Sequence, residues 1–216
     1  MKPFLYNEVF AVNDNPKANL ILIGHTPVLV VDDFFSNFEG VRELVGNTPA
    51  GNWKISANSR NFKDYYDCRL TFPGLQTDML AKTQSLIQEH FKYTTHHLSD
   101  SIGVNWFQQI EPRRADHAFP HSDKTVPREQ FTCLVYLNDG QHCSGGTGFF
   151  KQINPNAPFE NGDDYWPKME DWEMIDYVRM TPNRLVIFPA HMYHAAYQPI
   201  DYKNTPRLTL VYWMAT

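Results

Sequence analysis

The chain has 216 residues, of which 42% are hydrophobic and 20% charged, and its formal net charge is -5. These proportions are ordinary for a globular protein, and the sequence contains no basic stripe that could neutralise phosphates, so nucleic acid is not an expected partner. The length suits one domain, expected over residues 1–216, and the aromatic content of 14% favours a β-rich fold.

The three cysteines, Cys68, Cys133 and Cys143, are odd in number and lack CxxC spacing. They are expected to be reduced thiols, with Cys133 in the core. No apolar segment typical of a signal peptide follows the first residues, and Gly-His-Thr-Pro interrupts the most apolar stretch, residues 19–31. We therefore expect a cytoplasmic protein with no membrane partner.

Two strands and a helix are predicted in the first fifty residues. The apolar runs Leu20–Ile23 and Val28–Val31 flank a turn and are typical of strands. A short helix is expected to follow, capped by Ser36 or Asp33 and stopped by Gly46.

A second helix is predicted from about Leu75 to Phe91, where apolar residues recur near one face and neither Pro nor Gly interrupts. After Asp100 four short apolar segments indicate strands: Ile102–Ile110, Gln130–Leu137, Arg184–Phe188 and Arg207–Met214. Between the second and third, Asn138 to about Asp171 is expected to be a turn and an irregular segment. This order predicts helices and edge strands in about residues 1–100, packed on a β-sandwich in about 101–216.

The motif His121-Ser122-Asp123 is the first candidate metal site. Residues two apart in an extended segment point to the same side, so one imidazole and one carboxylate could meet a single ion. A chain of this composition contains such a motif about once by chance, so the motif alone is weak.

The C-terminal region adds an ordered set of further candidates. A strand-like run ending at Pro189 is followed by His191 and His194, and a second strand begins at Arg207. Strand alternation places four side chains on one face of that strand: Arg207, Thr209, Val211 and Trp213. Because an arginine is costly to bury beside apolar residues without an anion, a ligand carboxylate is an expected partner.

Together these motifs resemble the Fe(II)/2-oxoglutarate-dependent dioxygenases, nearest to their prolyl-hydroxylase-like branch. The resemblance depends on His121-x-Asp123, on Leu185–Pro189 followed by His194, and on Arg207-x-Thr209. The run Thr132–Asn138 and the following Gly145-Gly146 are similar to a strand and turn between the metal motifs of that family. The resemblance covers roughly residues 102 to 214.

The resemblance implies a mainly β fold, the double-stranded β-helix or jelly roll, with flanking N-terminal helices. It further implies that His121, Asp123 and His194 bind Fe(II) and that 2-oxoglutarate completes the coordination. Arg207 would hold the far carboxylate of 2-oxoglutarate, with Thr209 as a second donor. O2 would be the other co-substrate, and ascorbate a candidate reductant.

The expected reaction is oxidation of an unidentified small molecule or peptide. In the halogenases related to that family a small residue replaces the carboxylate. Because this chain has Asp123, hydroxylation or another oxidation without halide is favoured. On the strand after the metal motif, Tyr136 and Thr132 face the same way and are further candidates for contact with 2-oxoglutarate. Tyr136 is equally compatible with a core position.

Other residues leave alternatives open. His191 competes with His194 as the second imidazole, although the spacing favours His194. His117 is a candidate substrate-contacting or supporting residue, whereas the pair His96-His97 is expected in a solvated loop. Arg113-Arg114 is expected to be a solvated pair, and Arg184 to serve a turn.

Two other functions are compatible with the sequence. One is a cupin-like metal-binding jelly roll without oxygenase activity, acting as a sensor or isomerase. The other is a carbohydrate- or protein-binding β-sandwich in which His121 and Asp123 are incidental. The sequence predicts neither the substrate nor the oligomeric state.

Overall fold

A computed structural model describes residues 6–49, 52–55, 65–73, 78–98, 101–109, 120–141, 145–154, 169–197 and 207–216. It describes the backbone alone at residues 6–7, 55, 65–69, 72–73, 101–109, 169 and 197. Its helices are α1 (Tyr6–Val9), α2 (Phe38–Gly46) and α3 (Asp78–Phe91), and a 3-10 turn covers Met169–Asp171. The first six strands are β1 (Lys17–Ile23), β2 (Thr26–Asp32), β3 (Lys54–Ile55), β4 (Tyr65–Pro73), β5 (His96–His97) and β6 (Ser101–Gln109). The remaining strands are β7 (Gln130–Tyr136), β8 (Gly146–Gln152), β9 (Trp172–Arg179), β10 (Leu185–Pro189), β11 (Tyr193–Tyr197) and β12 (Arg207–Ala215).

The strands form two antiparallel sheets. The large sheet has the order β1-β2-β10-β7-β12-β6-β4-β3, with β5 paired to the end of β12, and the small sheet has the order β11-β8-β9. The predicted mainly β jelly roll with flanking helices is therefore confirmed. The consequence for function is that β10, β7 and β12 lie side by side in the centre of the large sheet.

The central strands of the large sheet are buried on both faces, whereas most residues of the edge strand β1 are exposed. In β7 every residue is buried, with Leu134 and Tyr136 on one face and Phe131, Cys133 and Val135 on the other. The first face packs on the small sheet and forms what we call the inner core: Ile23, Val28, Val30, Leu134, Tyr136, Phe149, Val178, Met180, Val186, Phe188 and Met192. The second face packs on the helices and forms the outer core. Continuous apolar runs such as these are expected of strands covered on both sides.

Helix α2 confirms the first predicted helix but corrects its cap. The cap is Asn37, whose side-chain oxygen accepts a hydrogen bond from the Gly40 N–H at 3.2 Å. Ser36 instead donates its hydroxyl to the Ala11 carbonyl oxygen at 3.1 Å. Asp33 lies in the left-handed region with φ of 57° and forms an exposed ion pair with Lys17. The cap prediction was wrong because these tertiary contacts engage both candidates.

Helix α3 confirms the second predicted helix over its described residues. Met79, Thr83, Leu86 and Ile87 are buried, at the spacing of one helical face. This face packs on the outer core of the large sheet. The predicted start at Leu75 lies outside the described residues.

The predicted strands are confirmed, and others were not predicted. The four apolar segments after Asp100 correspond to β6, β7, β10 and β12, and the two early runs to β1 and β2. The expectation of an irregular segment from Asn138 to Asp171 was wrong for β8, which begins in the Gly145-Gly146 pair. Glycines hid this strand, because they usually weaken one, and here they permit a close backbone approach. Strands β4, β9 and β11 were also missed.

No helix of the described chain is both long enough and apolar enough to cross a lipid bilayer.

Candidate metal centre

The return from β10 to β11 brings the first metal motif against His194. The backbone N–H of His121 donates to the His194 carbonyl oxygen at 3.0 Å, and the N–H of His194 donates to the His121 carbonyl oxygen at 2.9 Å. The Asp123 N–H donates to the Ala190 carbonyl oxygen at 2.9 Å, directly after β10. These backbone bonds place the His-x-Asp segment along the β10–β11 turn.

The three side chains converge on one point. The Nε2 atom of His121 lies 3.7 Å from Oδ1 of Asp123, and Nε2 of His194 lies 3.5 Å from Oδ2. One ligand atom from each residue lies within 4.8 Å of the other two. Within the described ranges this is the only group of three or more His, Cys, Asp or Glu residues close enough to share an ion. Two imidazoles and one carboxylate form the donor set of a facial triad.

The three ligands differ in their exposure to solvent. The His121 side chain is 54% exposed, whereas Asp123 is 16% and His194 8% exposed. An ion held here would therefore be reached from the side of His121. On the buried side, the ring of Phe188 packs edge-on against His194 at a centroid distance of 4.7 Å.

The protonation states suit a metal ligand set. Burial raises the pKa of the Asp123 carboxyl, but the facing His194 and His121 rings and the hydrogen bonds from Trp213 and Thr132 outweigh it, and the pKa lies below its ordinary value. Burial lowers the pKa of His194 from an ordinary 6.5 to about 4, with His121 acting in the same direction and Asp123 opposing. At neutral pH the site therefore holds a carboxylate and a neutral His194 imidazole, the forms that bind metal.

One hydrogen bond sets the tautomer of His194. Its Nδ1 atom lies 3.1 Å from the Met192 carbonyl oxygen. A carbonyl can only accept, so Nδ1 carries the proton and the lone pair is on Nε2, which faces Asp123. Metal-binding histidines commonly have this arrangement, in which the ring nitrogen that does not bind the metal donates a hydrogen bond to the protein.

Side chains of β7 and β12 support Asp123. The Thr132 hydroxyl donates to Oδ2 of Asp123 at 2.8 Å, and the Gln130 amide donates to the Asp123 carbonyl oxygen at 2.9 Å. Trp213 is the register partner of Thr132 across β7 and β12. Thr132 was predicted to contact 2-oxoglutarate and lies here against the metal motif. Gln130 and Trp213 were missed as supporting residues, although the strand alternation already placed Trp213 on this face.

Arg207 lies on the inner face, as the alternation predicted. Its Nη2 atom donates to Oγ1 of Thr147 at 3.3 Å and lies 3.5 Å from the Gly146 carbonyl oxygen, and its Cζ atom is 5.5 Å from the centroid of the Tyr136 ring. Its Nε atom is buried and makes no hydrogen bond with the described residues. Thr209, two residues on, is 1% exposed. The half-buried guanidinium therefore has donor capacity left for a ligand.

Tyr136 is a core residue with a polar tip. Its ring is fully buried in the inner core, and its hydroxyl lies 2.8 Å from Oγ1 of Thr147 and 3.3 Å from the Val178 carbonyl oxygen. Burial raises the pKa of the Tyr136 hydroxyl, with Arg207 opposing, so this residue is neutral at physiological pH. A core position for Tyr136 is thus compatible with a contact between its hydroxyl and a ligand.

Other candidates lie away from this site. His191 is exposed in the β10–β11 turn and is not part of the cluster. The pair His96-His97 forms β5 instead of the expected loop. Arg184 binds Asp32 with Nε–Oδ1 and Nη2–Oδ2 distances of 2.6 and 3.0 Å, where β10 and β2 meet. His117 and Arg113-Arg114 lie outside the described residues.

A family model described as "Family of unknown function (DUF6445)" matches residues 14–164. No curated protein matches the chain.

Among solved structures, the chain is similar to the non-heme alpha ketoglutarate dependent epimerase SnoN from nogalamycin biosynthesis, with a TM-score of 0.55 and 14% identity over 87% of this chain and 78% of that one. It also matches a Pseudomonas putida prolyl-4-hydroxylase (TM-score 0.43, 13% identity, covering 82% and 86% of the two chains). A Burkholderia pseudomallei oxidoreductase of the 2OG-Fe(II) oxygenase family matches at a TM-score of 0.45 and 10% identity, covering 87% and 84%. At these identities the likeness to SnoN shows a shared fold, and the chemistry has to be argued from this chain's own residues.

Proposed function

We propose that this chain, which belongs to the DUF6445 family, is an Fe(II)- and 2-oxoglutarate-dependent oxygenase acting on a small molecule or peptide. His121, Asp123 and His194 would hold the iron, and Arg207 with Thr209 would hold the far carboxylate of 2-oxoglutarate. The observation that carries the proposal is the convergence of two imidazoles and a carboxylate on the inner face. The same face bears an arginine whose buried Nε makes no hydrogen bond with the described residues.

The spacing along β8 supports a ligand that reaches from the metal ligands to Arg207. His194 on β11 lies opposite Phe149 on β8, and the contact of Arg207 is with Thr147, two residues along β8. Two residues of strand correspond to about 7 Å. A five-carbon dicarboxylate has the length to lie along this distance, with one end at the metal ligands and the other at Arg207.

The surrounding residues suit oxidation at a site that is apolar on its buried side. When bound, iron with 2-oxoglutarate and O2 supplies the oxidation of a substrate C–H bond, with release of succinate and CO2. The protein's part is to bind and orient: the triad supplies two imidazoles and a carboxylate, and Arg207 supplies charged donors. Phe149 and Phe188, edge-on at 5.1 Å, exclude water behind the site. The name of SnoN includes alpha-ketoglutarate dependence, so the shared fold is compatible with this co-substrate.

The test is formation of succinate from 2-oxoglutarate by the purified chain with Fe(II), O2 and ascorbate. Wild type and His191→Ala are expected to form succinate, since His191 lies outside the cluster. Asp123→Ala and Arg207→Ala are each expected to lose at least about 100-fold, because one removes a metal ligand and the other the charged partner of the co-substrate.

Binding measurements separate the proposal from its alternatives. The inert analogue N-oxalylglycine should raise the thermal midpoint of the Mn(II)-loaded protein and should not do so for Arg207→Ala. Metal binding at the triad without any response to the analogue would favour the cupin-like sensor or isomerase. Absence of stoichiometric iron after anaerobic purification would favour a binding module in which the triad is incidental.

A further inference from the structure

We infer that Thr147 is a positioning residue for the co-substrate, because its hydroxyl orients the Arg207 guanidinium toward the ligand. The inference rests on the proposed function and concerns a residue that the sequence motifs did not single out. Thr147 is 1% exposed and lies on β8, in the sheet opposite the strand that carries Arg207.

The hydrogen bond between Arg207 and Thr147 joins the two sheets. Arg207 begins β12 of the large sheet, and its Nη2 atom donates to Thr147 Oγ1 at 3.3 Å and lies 3.5 Å from the Gly146 carbonyl oxygen. Both acceptors belong to consecutive residues of β8. A long, flexible side chain is thereby held at its tip, while the buried Nε atom makes no hydrogen bond with the described residues.

The hydroxyl of Thr147 has a defined direction. The Val178 carbonyl oxygen can only accept, so the Tyr136 hydroxyl, 3.3 Å away, is its donor. Thr147 then donates to the Tyr136 oxygen at 2.8 Å and accepts from Arg207. The result is a directed hydrogen-bond relay from Arg207 through Thr147 and Tyr136 to Val178, in which each hydroxyl donates once and accepts once.

This relay explains how the guanidinium stays oriented without a protein carboxylate. Among the described residues no acidic side chain forms an ion pair with Arg207, whereas Arg184 is held by Asp32 through two short contacts. A neutral hydroxyl holds an arginine without neutralising it. Arg207 therefore keeps its full charge for an anionic ligand and loses less side-chain freedom when the ligand arrives.

The test compares three variants in the full chain. Thr147→Val removes the hydroxyl with little change of shape, and Thr147→Ser keeps it. Thr83→Val is the matched control: it removes another fully buried threonine hydroxyl bonded to a tyrosine, here Tyr212 at 2.8 Å, but in the outer core.

The readouts are calorimetric binding of N-oxalylglycine and of pyruvate to the Mn(II)-loaded protein, and the steady-state constants of succinate formation. For Thr147→Val we expect the Kd for N-oxalylglycine and the Michaelis constant for the co-substrate to rise about tenfold, with kcat within about twofold. The reason is that a charge-assisted interaction is weakened in ground and transition states alike. Pyruvate lacks the far carboxylate, so its binding should not change. Thr147→Ser and Thr83→Val should bind N-oxalylglycine like wild type.

Two results would overturn the inference while leaving the proposed function in place. One is unchanged binding of N-oxalylglycine by Thr147→Val, and the other is equal weakening by Thr147→Ser, which would show that the hydroxyl is not the determinant. If Thr147→Val does not fold, Thr147→Ala takes its place in the same comparison with Thr147→Ser. Failure of wild type to bind N-oxalylglycine would instead refute the proposed function, and the inference with it.

Discussion

The surroundings of His194 suit a metal ligand. Its ring is buried, its Nδ1 proton is committed to the Met192 carbonyl oxygen, and its Nε2 lone pair faces Asp123. Burial gives it a pKa of about 4 in place of 6.5. The imidazole therefore stays largely neutral between pH 6.5 and about 4, where an ordinary histidine is protonated.

This depressed pKa predicts a pH-dependent stability of the metal-free protein. Between pH 6.5 and about 4 the unfolded chain binds a proton at His194 that the folded chain does not. The contribution of the neutral His194 to the free energy of unfolding is therefore fully present above pH 6.5 and is lost as the pH drops toward 4. Thermal midpoints in the presence of a chelator, measured from pH 7.5 to 4.5, should decline along this range.

The matched variant is His194→Asn, which removes the imidazole at position 194 that titrates in this window. Its thermal midpoint should decline less steeply between pH 6.5 and 4.5 than that of wild type. Parallel curves for the two proteins would show that the buried imidazole does not control the decline.

At the scale of elements, β8 is one of the strands that sequence patterns missed, and it connects the two ends of the candidate site. It pairs with β11 beside His194, and its first two residues contact Arg207. Gly146 is required by close packing: a Cβ built there would collide with the Val178 carbonyl oxygen on β9. Glycine thus allows β8 and β9 to approach where a strand-forming residue could not.

Gly146→Ala is accordingly expected to lower the free energy of unfolding by about 2–3 kcal/mol, since backbone atoms have to move to make room. The shift would also weaken N-oxalylglycine binding through the Gly146 carbonyl and Thr147. Gly46→Ala is the control, because a Cβ at the end of α2 meets nothing within 4 Å. Chemical denaturation of both variants measures the difference, and an equal stability of the two would refute the role assigned to Gly146.

At the scale of the whole molecule, the large sheet separates two cores. The inner core lies on the side of the sheet that bears the candidate site, and the outer core joins the sheet to the helices. Because alternate residues of β7, β10 and β12 face opposite ways, one strand serves both cores. We therefore expect that substitutions in the outer core can change stability without changing metal binding at the candidate site.

Ile87→Ala tests this separation. Ile87 is fully buried in the outer core, so its truncation should cost about 2–5 kcal/mol of unfolding free energy. The affinity for Mn(II) at 15 °C should stay within about twofold, because the inner face is untouched. Leu22→Ala, on a residue 66% exposed in β1, should change the stability by less than about 0.5 kcal/mol. A large loss of metal affinity in Ile87→Ala would mean that the two cores are coupled.

The sequence by itself determined the local patterns. Periodicity gave the apolar face of α3, and alternation in β12 placed Arg207 and Trp213 on one side, because side-chain direction in a helix or strand follows from spacing alone. The order of the motifs also selected His194 over His191, and the structure brings His194, not His191, beside Asp123. The extent of one domain over residues 1–216 and the roles of the site residues stay predictions.

Only the tertiary structure decided which distant residues meet. Thr147 and Arg207 are 60 positions apart, and Thr132 faces Asp123 instead of Arg207 because of how β7 lies beside the β10–β11 turn. Such contacts depend on which strands pair and on their register, and no local pattern carries that information. The N-cap of α2 is Asn37 and not the predicted Ser36 for the same reason, since the Ser36 hydroxyl donates to the carbonyl oxygen of Ala11, 25 residues away.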